Sequence, residues 1–148
     1  MIVPDLNVLL YAHVDAFPFH SAARAWWEGA VRGTEEIGIP GVVVFGFVRI
    51  ATNRRVFETP MGVDAATATV ERWLSHPHIH LLVPGARHLD LAFGLLRAAR
   101  TSADLSTDVQ IAALAIENGG TVYSHDADFD SFAGLRRVDP VPRPSRRR

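Results

Sequence analysis

A helix followed directly by a strand is predicted between residues 104 and 130, and this stretch constrains the fold more than any other. Thr107 is the predicted N-cap, and Asp108 then falls in the first turn, where the helix dipole favours an acid. Gly119 and Gly120 end the helix, and 121–123 are strand formers. Apolar residues recur at helical spacing, at Ile111, Ala112, Leu114, Ala115 and Ile116. The pattern predicts one α/β unit.

Acids are placed where strands end. Asp5 closes an apolar run that starts at Met1, and Asp126 and Asp128 follow the strand at 121–123. If the strands are parallel, their carboxyl ends share one edge of the sheet, which is where open α/β sheets bind ligands. We therefore expect Asp5, Asp108 and Asp126 to converge within reach of one metal, with Asp128 as a fourth candidate.

A cluster of carboxylates has a definite chemistry. Three or four carboxylates do not stay ionised together without a cation, and oxygen-only ligands suit Mg²⁺ or Mn²⁺. Such a site fits hydrolysis of phosphodiesters. Taken singly, Asp108 is equally well explained as a helix-start acid and Asp126 as a turn former. Their coincidence with Asp5 at strand ends favours a functional site.

Further helices and strands alternate along the chain, with Asn7 placed to orient Asp5 or to cap the first helix. The run 40–51 is ambiguous, but its length and spacing favour a buried helix. Asp64 is the predicted N-cap of a helix ending near Leu74. This alternation predicts a parallel sheet with helices on both faces. The remaining predicted elements are helices starting at Val8 and spanning 20–32 and 87–100, and strands at 37–39, 79–83 and 135–138.

Composition excludes several classes of protein. The 148 residues fit one domain, expected at 1–140, followed by a Pro/Arg-rich tail at 141–148 that is expected to be disordered. No run is long and apolar enough to cross a membrane, and no signal peptide is visible, so a cytoplasmic location is expected. The absence of cysteine excludes thiolate sites. All 15 basic residues are arginine, which argues against aspartyl-phosphate phosphatases and receiver domains, since those need a lysine.

Two further features have competing explanations. His76, His78 and His80 alternate, but no carboxylate lies near them in sequence, so strand packing is favoured over a metal site. Trp26 and Trp27 lie on a helix whose apolar face is wider than one core contact needs, which predicts a homodimer.

Four segments together resemble the PIN-domain family, and in particular the VapC-type toxins of prokaryotic toxin–antitoxin pairs. The resemblance covers residues 1 to about 140 and rests on order and spacing more than on any single motif. The segments are Asp5-Leu-Asn-Val-Leu-Leu-Tyr11, Phe47-Val-Arg-Ile-Ala-Thr-Asn53, Thr107-Asp-Val-Gln-Ile-Ala-Ala-Leu-Ala115 and Ser124-His-Asp-Ala-Asp-Phe129.

The resemblance implies a three-layer α/β/α sandwich around a central parallel sheet, a Mg²⁺- or Mn²⁺-dependent ribonuclease, a homodimer and inhibition by a VapB-like antitoxin. It places the metal ligands and catalytic acids on Asp5, Asp108 and Asp126, with Asp128 close by. Weaker candidates for RNA contact are Arg49, Asn7 and Ser124.

The chain departs from the family pattern at one point. The family usually has a glutamate in the helix predicted at 40–51, and here no acid lies between Gly38 and Phe57. The acidic quartet is therefore reduced, or Asp128 completes it. The alternative function is a PIN-fold binding module with a degenerate site that binds metal weakly.

Overall fold

Five short strands form one sheet, in the order β3-β2-β1-β4-β5, and every neighbouring pair is parallel. The computed structural model describes residues 1–99 and 106–141. β1 lies in the middle, with β2 on one side and β4 on the other. The chain order therefore reverses at β1, which opens a crevice at the carboxyl ends of β1 and β4. The strands are β1 (Ile2–Pro4), β2 (Ile37–Pro40), β3 (Ile79–Leu82), β4 (Thr121–Tyr123) and β5 (Arg137–Val138).

Helices cover the sheet, and the predicted α/β/α sandwich with a parallel sheet is confirmed. α1 packs on α2 and α3, and α5 packs on α6. A 3₁₀ helix, Ala127–Ser131, follows β4. The α-helices of the described residues are α1 (Leu6–His13), α2 (His20–Arg32), α3 (Gly41–Ala51), α4 (Val63–Leu74), α5 (His88–Ala99) and α6 (Ser106–Glu117).

The core explains the apolar runs of the sequence. Every residue of β1 and β2 is buried, as expected for central strands of a parallel sheet covered on both faces. The run 40–51 forms helix α3, as predicted, and inserts Phe47 into the core against Trp73 of α4, with ring centroids 4.8 Å apart. Pro4 ends β1, where no further N–H donor is needed.

Two predicted helix caps are wrong. α4 begins at Val63 with Gly62 at the N-cap, so Asp64 lies in the first turn instead. α6 begins at Ser106, so Thr107 lies inside the helix. Asp64 in α4 and Asp108 in α6 both lie within the first turn of their helix. There the helix dipole stabilises a negative charge without any capping bond.

The ends of two predictions lie outside the described residues. Arg100, the predicted end of α5, is one of them, and so are residues 142–148 of the predicted tail. Val141, which the sequence assigns to the tail, is buried in the core, and its N–H donates to Asp139 Oδ1 at 2.9 Å. No helix of the described residues is long and apolar enough to span a membrane.

The tryptophan pair does not form the exposed face that was predicted. Trp27 is buried against Trp73, with ring centroids 5.7 Å apart. Trp26 stacks on Tyr123 of β4 at 5.5 Å, with the ring planes 19° apart. The wide apolar face of α2 therefore serves two intramolecular contacts, one with α4 and one with the sheet.

Candidate active site

Asp5 is an almost fully buried acid at the start of α1. It is the N-cap residue, and its Oδ1 accepts a hydrogen bond of 2.7 Å from the backbone N–H of Leu6. Its Oδ2 accepts a second bond of 2.7 Å from the hydroxyl of Ser124, just beyond β4. Burial raises the pKa of Asp5, and the neighbouring charge of Asp126 adds to the rise. The two hydrogen bonds oppose that shift by stabilising the carboxylate.

Ser124 joins the two central strands of the site. Its hydroxyl is fully buried and accepts from Asn7 Nδ2 at 3.2 Å and from the backbone N–H of Asp126 at 3.0 Å. Asn7 Oδ1 in turn accepts from the backbone N–H of His125 at 3.4 Å. Asn7 thus orients Asp5 through Ser124. Because Ser124 has no exposed surface, we assign it to this network and not to RNA contact.

Among residues 1–99 and 106–141, three acids other than Asp5 form a close cluster. Carboxylate oxygens of Asp108, Asp126 and Asp128 all lie within 4.8 Å of one another. Asp126 caps the 3₁₀ helix, and its Oδ1 accepts from the backbone N–H of Asp128 at 2.9 Å. This capped turn places the carboxylates of Asp126 and Asp128 close together, where both approach Asp108. Asp5 lies outside this close trio, since its two oxygens accept bonds from Leu6 and Ser124. That Asp5 comes within reach of the same metal as Asp108 and Asp126 stays a prediction.

The four acids nevertheless form one electrostatic unit. The pKa of Asp108 is raised to about 7, first by burial and then by the charges of Asp5, Asp126 and Asp128. Asp108 is half-buried in the first turn of α6, so its charge is only partly screened. A divalent cation would relieve this repulsion, and a donor set made only of carboxylates suits a hard cation. The residues therefore fit the metal that the sequence predicts.

An aromatic wall beside the acids was missed by the sequence reasoning. His125 Nδ1 contacts Asp139 Oδ2 at 2.9 Å, and its ring packs against Phe19 at 4.6 Å and Tyr11 at 6.2 Å. Burial and the charges of Asp5, Asp126 and Asp139 raise the pKa of Tyr11. Asp139 directly follows β5, so extending the strand-end rule to the last strand would have found it.

Arg137 fixes the segment that carries two of the acids. Its Nε and Nη2 each donate to the carboxylate of Asp130 at 2.8 Å, and its Nη1 donates to the backbone carbonyl of Ser124 at 3.0 Å. A forked arginine pair of this kind restricts geometry more than a single ion pair does. β5 therefore holds the 3₁₀ helix in place behind Asp126 and Asp128.

The remaining candidates are exposed or make other contacts. Arg49 is exposed in the last turn of α3. His80 Nε2 contacts Glu36 Oε2, and His76 Nδ1 faces the backbone carbonyls of Arg72 and Trp73. Within the described part of the chain, the histidine trio does not form a cluster of potential metal ligands.

α3 supplies no carboxylate to the site, in keeping with its sequence. Phe45 is 76% exposed, Phe47 is buried, and Gly46 packs so closely on Leu6 that a Cβ would lie 2.8 Å from that side chain. The usual glutamate of this helix is therefore replaced by an apolar surface. Asp128 is the acid that raises the cluster to three members without Asp5.

Comparisons with known proteins agree with this geometry. The PIN-domain family model matches residues 2–135. Ribonuclease VapC33 of Mycobacterium tuberculosis is 48% identical over 141 residues, covering 95% of this chain and 99% of that protein. Ribonuclease VapC37 of the same organism is 36% identical over 140 residues, covering 95% and 97%.

Solved structures show the same fold at low sequence identity. VapC20 of Mycobacterium tuberculosis, described as a toxin that cleaves the sarcin–ricin loop, aligns with a TM-score of 0.67 at 18% identity, covering 92% of this chain and 99% of that one. VapBC2 from Rickettsia felis, bound to promoter DNA, aligns with a TM-score of 0.65 at 16% identity, covering 93% and 98%. The chain belongs to the PIN-domain family and is a homologue of the VapC ribonucleases.

Proposed function

We propose that this chain, through a single domain at residues 1–140, is a metal-dependent endoribonuclease that acts as the toxin of a toxin–antitoxin pair. The carboxylate cluster of Asp108, Asp126 and Asp128 is the observation that carries the proposal. Kinship with the VapC ribonucleases supports RNA as the substrate. An RNA substrate also supports the cytoplasm as the place of action.

All four acids would bind the metal ion in this proposal. Asp108, Asp126 and Asp128 would hold Mg²⁺ or Mn²⁺, and Asp5 would bind it through the lone pairs that its two hydrogen bonds leave free. The ion would supply an activated water and positive charge for the scissile phosphate. Without a cation, these carboxylates would repel a phosphodiester. Ser124 and Arg137 keep the acid-bearing segments in register, and exposed Arg49 is a candidate phosphate contact.

The alternative is a binding module that has kept the fold and lost its chemistry. The observation in its favour is α3, which carries no acid. Three facing carboxylates and the raised pKa of Asp108 weigh against it, since a site released from catalysis has no reason to keep repelling charges together. A measurement of Mn²⁺ binding distinguishes the two functions, because the ribonuclease should bind the ion and the binding module should bind it only weakly.

RNA cleavage should require both a divalent ion and the cluster. We expect purified protein to cut single-stranded RNA in Mg²⁺ or Mn²⁺ and to be inactive in EDTA. Asp126→Asn should lower the cleavage rate by at least ~100-fold, because it removes the charge of a proposed metal ligand, and even changes to groups around the ligands cost roughly 10–100-fold. Defined end-labelled RNA resolved on gels measures the rate. Undiminished cleavage in EDTA would refute the proposal.

A homodimer that binds an antitoxin is the expected assembly. Solved complexes of toxin with antitoxin share this fold, which supports the partner. Exposed Leu89 and Phe93 lie one turn apart on α5 and offer an apolar surface for a second copy. We expect sedimentation at twice the 16.2 kDa of one chain. Phe93→Glu should yield monomers, whereas Val56→Glu, another exposed apolar position, should not. Only monomers at micromolar concentration would contradict this expectation.

A further inference from the structure

A cavity of about 420 Å³ lies between α1, α2 and α4, beside the last turn of α1, whose N-cap is Asp5. It falls within the size range of small-molecule and nucleotide sites. Its wall contains the indole rings of Trp27 and Trp73. Trp73 Nε1 donates to His13 Nε2 at 3.0 Å, and His13 Nδ1 faces the carbonyl oxygen of Leu9 at 2.7 Å. Both nitrogens of His13 are thus used, and the inner wall is preformed.

The rim of this cavity is positively charged in a chain whose formal net charge is −1. Arg24, Arg32 and Arg72 line it, and Glu28 is the one acid among the lining residues. Glu28 is paired with Arg24 at 2.8 Å and lies 3.9 Å from Arg32. Arg72 makes no ion pair among residues 1–99 and 106–141. The rim therefore carries two uncompensated positive charges.

The electrostatics of His13 report the same field. Burial is the main reason why the pKa of His13 is lowered, and the positive charges of Arg72, His20 and Arg24 lower it further. Burial penalises a charge of either sign, so only the contribution of these positive charges agrees with a rim that attracts anions. The ligand that this wall fits best is a phosphate group held by guanidinium groups.

The cavity continues into a trough, which favours a chain of phosphates over a single ion. A second cavity of about 330 Å³ shares His13, His20 and Arg24 with the first and runs on past Phe57, with Asp15 as the one acid among its lining residues. Asp5 caps the start of α1 and His13 is its last residue, so about 12 Å of helix separates the acids from the trough. His20 Nδ1 contacts the carbonyl oxygen of Tyr11, whose ring belongs to the aromatic wall beside the acids.

We propose that this cavity is a second phosphate site, which holds the RNA strand a few nucleotides away from the scissile bond. The choice of RNA rests on the proposed function, whereas the anion site itself does not. The arginines of the rim bind backbone phosphates, and Glu28 limits their strength by pairing with Arg24 and Arg32. Affinity for RNA is therefore set partly at a distance from the reacting atoms.

Tryptophan fluorescence tests this site without any cleavage. Trp27 and Trp73 line the cavity and serve as reporters. The probe is a single-stranded 2′-O-methyl oligonucleotide of about ten nucleotides, titrated in EDTA. We expect saturable quenching. Arg72→Gln should weaken binding by about tenfold and reduce the slope of log affinity against log salt by about 0.7, the loss expected for one phosphate contact on a single strand.

Two further variants are needed, one that should strengthen oligonucleotide binding and one that should leave it unchanged. Glu28→Gln should tighten binding several-fold, because it frees Arg24 and removes the only acid of the rim. Arg97→Gln removes the same charge as Arg72→Gln from an exposed position on α5 and should leave affinity within twofold. Equal affinities of the Arg72→Gln and Arg97→Gln proteins, or weaker binding by Glu28→Gln, would overturn the site.

The probes also separate RNA from other anions. If inorganic phosphate, a mononucleotide or a decaglutamate peptide binds as tightly as the oligonucleotide, with the same dependence on Arg72, the assignment to RNA is wrong. Failure of the proposed function looks different, because Arg72-dependent oligonucleotide binding would persist in a protein that cuts no RNA in Mg²⁺. Normal cleavage with binding that is insensitive to Arg72 would overturn this inference alone.

Discussion

Replacing Asp108 by asparagine is expected to stabilise the metal-free protein at neutral pH while reducing RNA cleavage by at least ~100-fold. The pKa of Asp108 is about 7 in the folded protein, against an ordinary value of 3.8. The folded state therefore holds a proton that the unfolded state has lost between these two values. In the metal-free protein, this contribution to stability is complete below pH ~4 and is lost as pH rises to ~7.

Asparagine stays neutral at every pH and so avoids that loss. After allowance for the screening of a half-buried group, the gain at pH 8 should be about 1–2 kcal/mol. That corresponds to a rise in Tm of about 3–6 °C for a chain of this size, with almost no difference at pH 4. Thermal unfolding in EDTA at the two pH values measures both.

Asp90→Asn is the matched control for Asp108→Asn. Asp90 also lies in the first turn of a helix, α5, but is exposed and outside the cluster. Its replacement should leave cleavage unchanged and should not raise Tm at pH 8, because it removes a favourable interaction with the helix dipole. Asp108→Asn that proves less stable than wild type at pH 8, or that still cuts RNA at the wild-type rate, would contradict the account.

Asp5→Asn is expected to lower cleavage by at least ~100-fold with only a modest change in stability. Asparagine can keep one oxygen on the N–H of Leu6, but its amide nitrogen then faces Ser124 Oγ. That hydroxyl already accepts from Asn7 Nδ2 and Asp126 N. One buried hydrogen bond is therefore lost, at a cost of about 1–3 kcal/mol, and removal of a buried charge offsets part of it.

The measurements are unfolding in denaturant and cleavage at saturating Mg²⁺. A change in unfolding free energy below about 2 kcal/mol is expected, so that lost activity reflects the site and not unfolding. Asp90→Asn, the exposed acid on α5 that lies outside the cluster, again serves as the control and should cleave RNA like wild type. Full activity of Asp5→Asn at equal metal would remove Asp5 from the catalytic machinery.

Much of the fold was predictable because its signals are local. Short segments rich in branched apolar residues at 37–39 and 79–83 predict strands, and the alternation of strands with helices predicts that they are parallel. Acids after β1 and β4 predict a crevice at the carboxyl ends of those strands. The chain order alone then brings Asp5 near Asp126, without any knowledge of side-chain directions. The helix at 40–51 followed from its length and spacing in the same way.

The detailed geometry of the site depends on contacts that spacing does not encode. Asp126 and Asp128 alternate as strand residues would, yet they lie in a 3₁₀ turn that brings their carboxylates together. Asp5 turns toward Leu6 and Ser124, because a buried carboxylate needs donors. The side-chain donor is Ser124, which lies 119 positions away in the chain, so local spacing gives no sign of it.

The tryptophans show the same limit. Helical spacing correctly marks the apolar face of α2, but it does not say whether another helix, the sheet or a second chain covers that face. Trp26 meets Tyr123 and Trp27 meets Trp73, so both contacts are intramolecular. The positive cavity escaped notice for a related reason, since Arg24, Arg32 and Arg72 come together only after α2 and α4 have packed.

Calorimetric titration of Mn²⁺ into the metal-free protein tests most directly whether the acids form a metal centre. We expect saturable binding to wild type at pH 7.5, accompanied by proton release as Asp108 ionises, and loss of that binding in Asp126→Asn. Asp90→Asn should bind like wild type. Equal and negligible heats for wild type and Asp126→Asn would show that the carboxylates hold no ion, and the chain would then be a binding module instead of a ribonuclease.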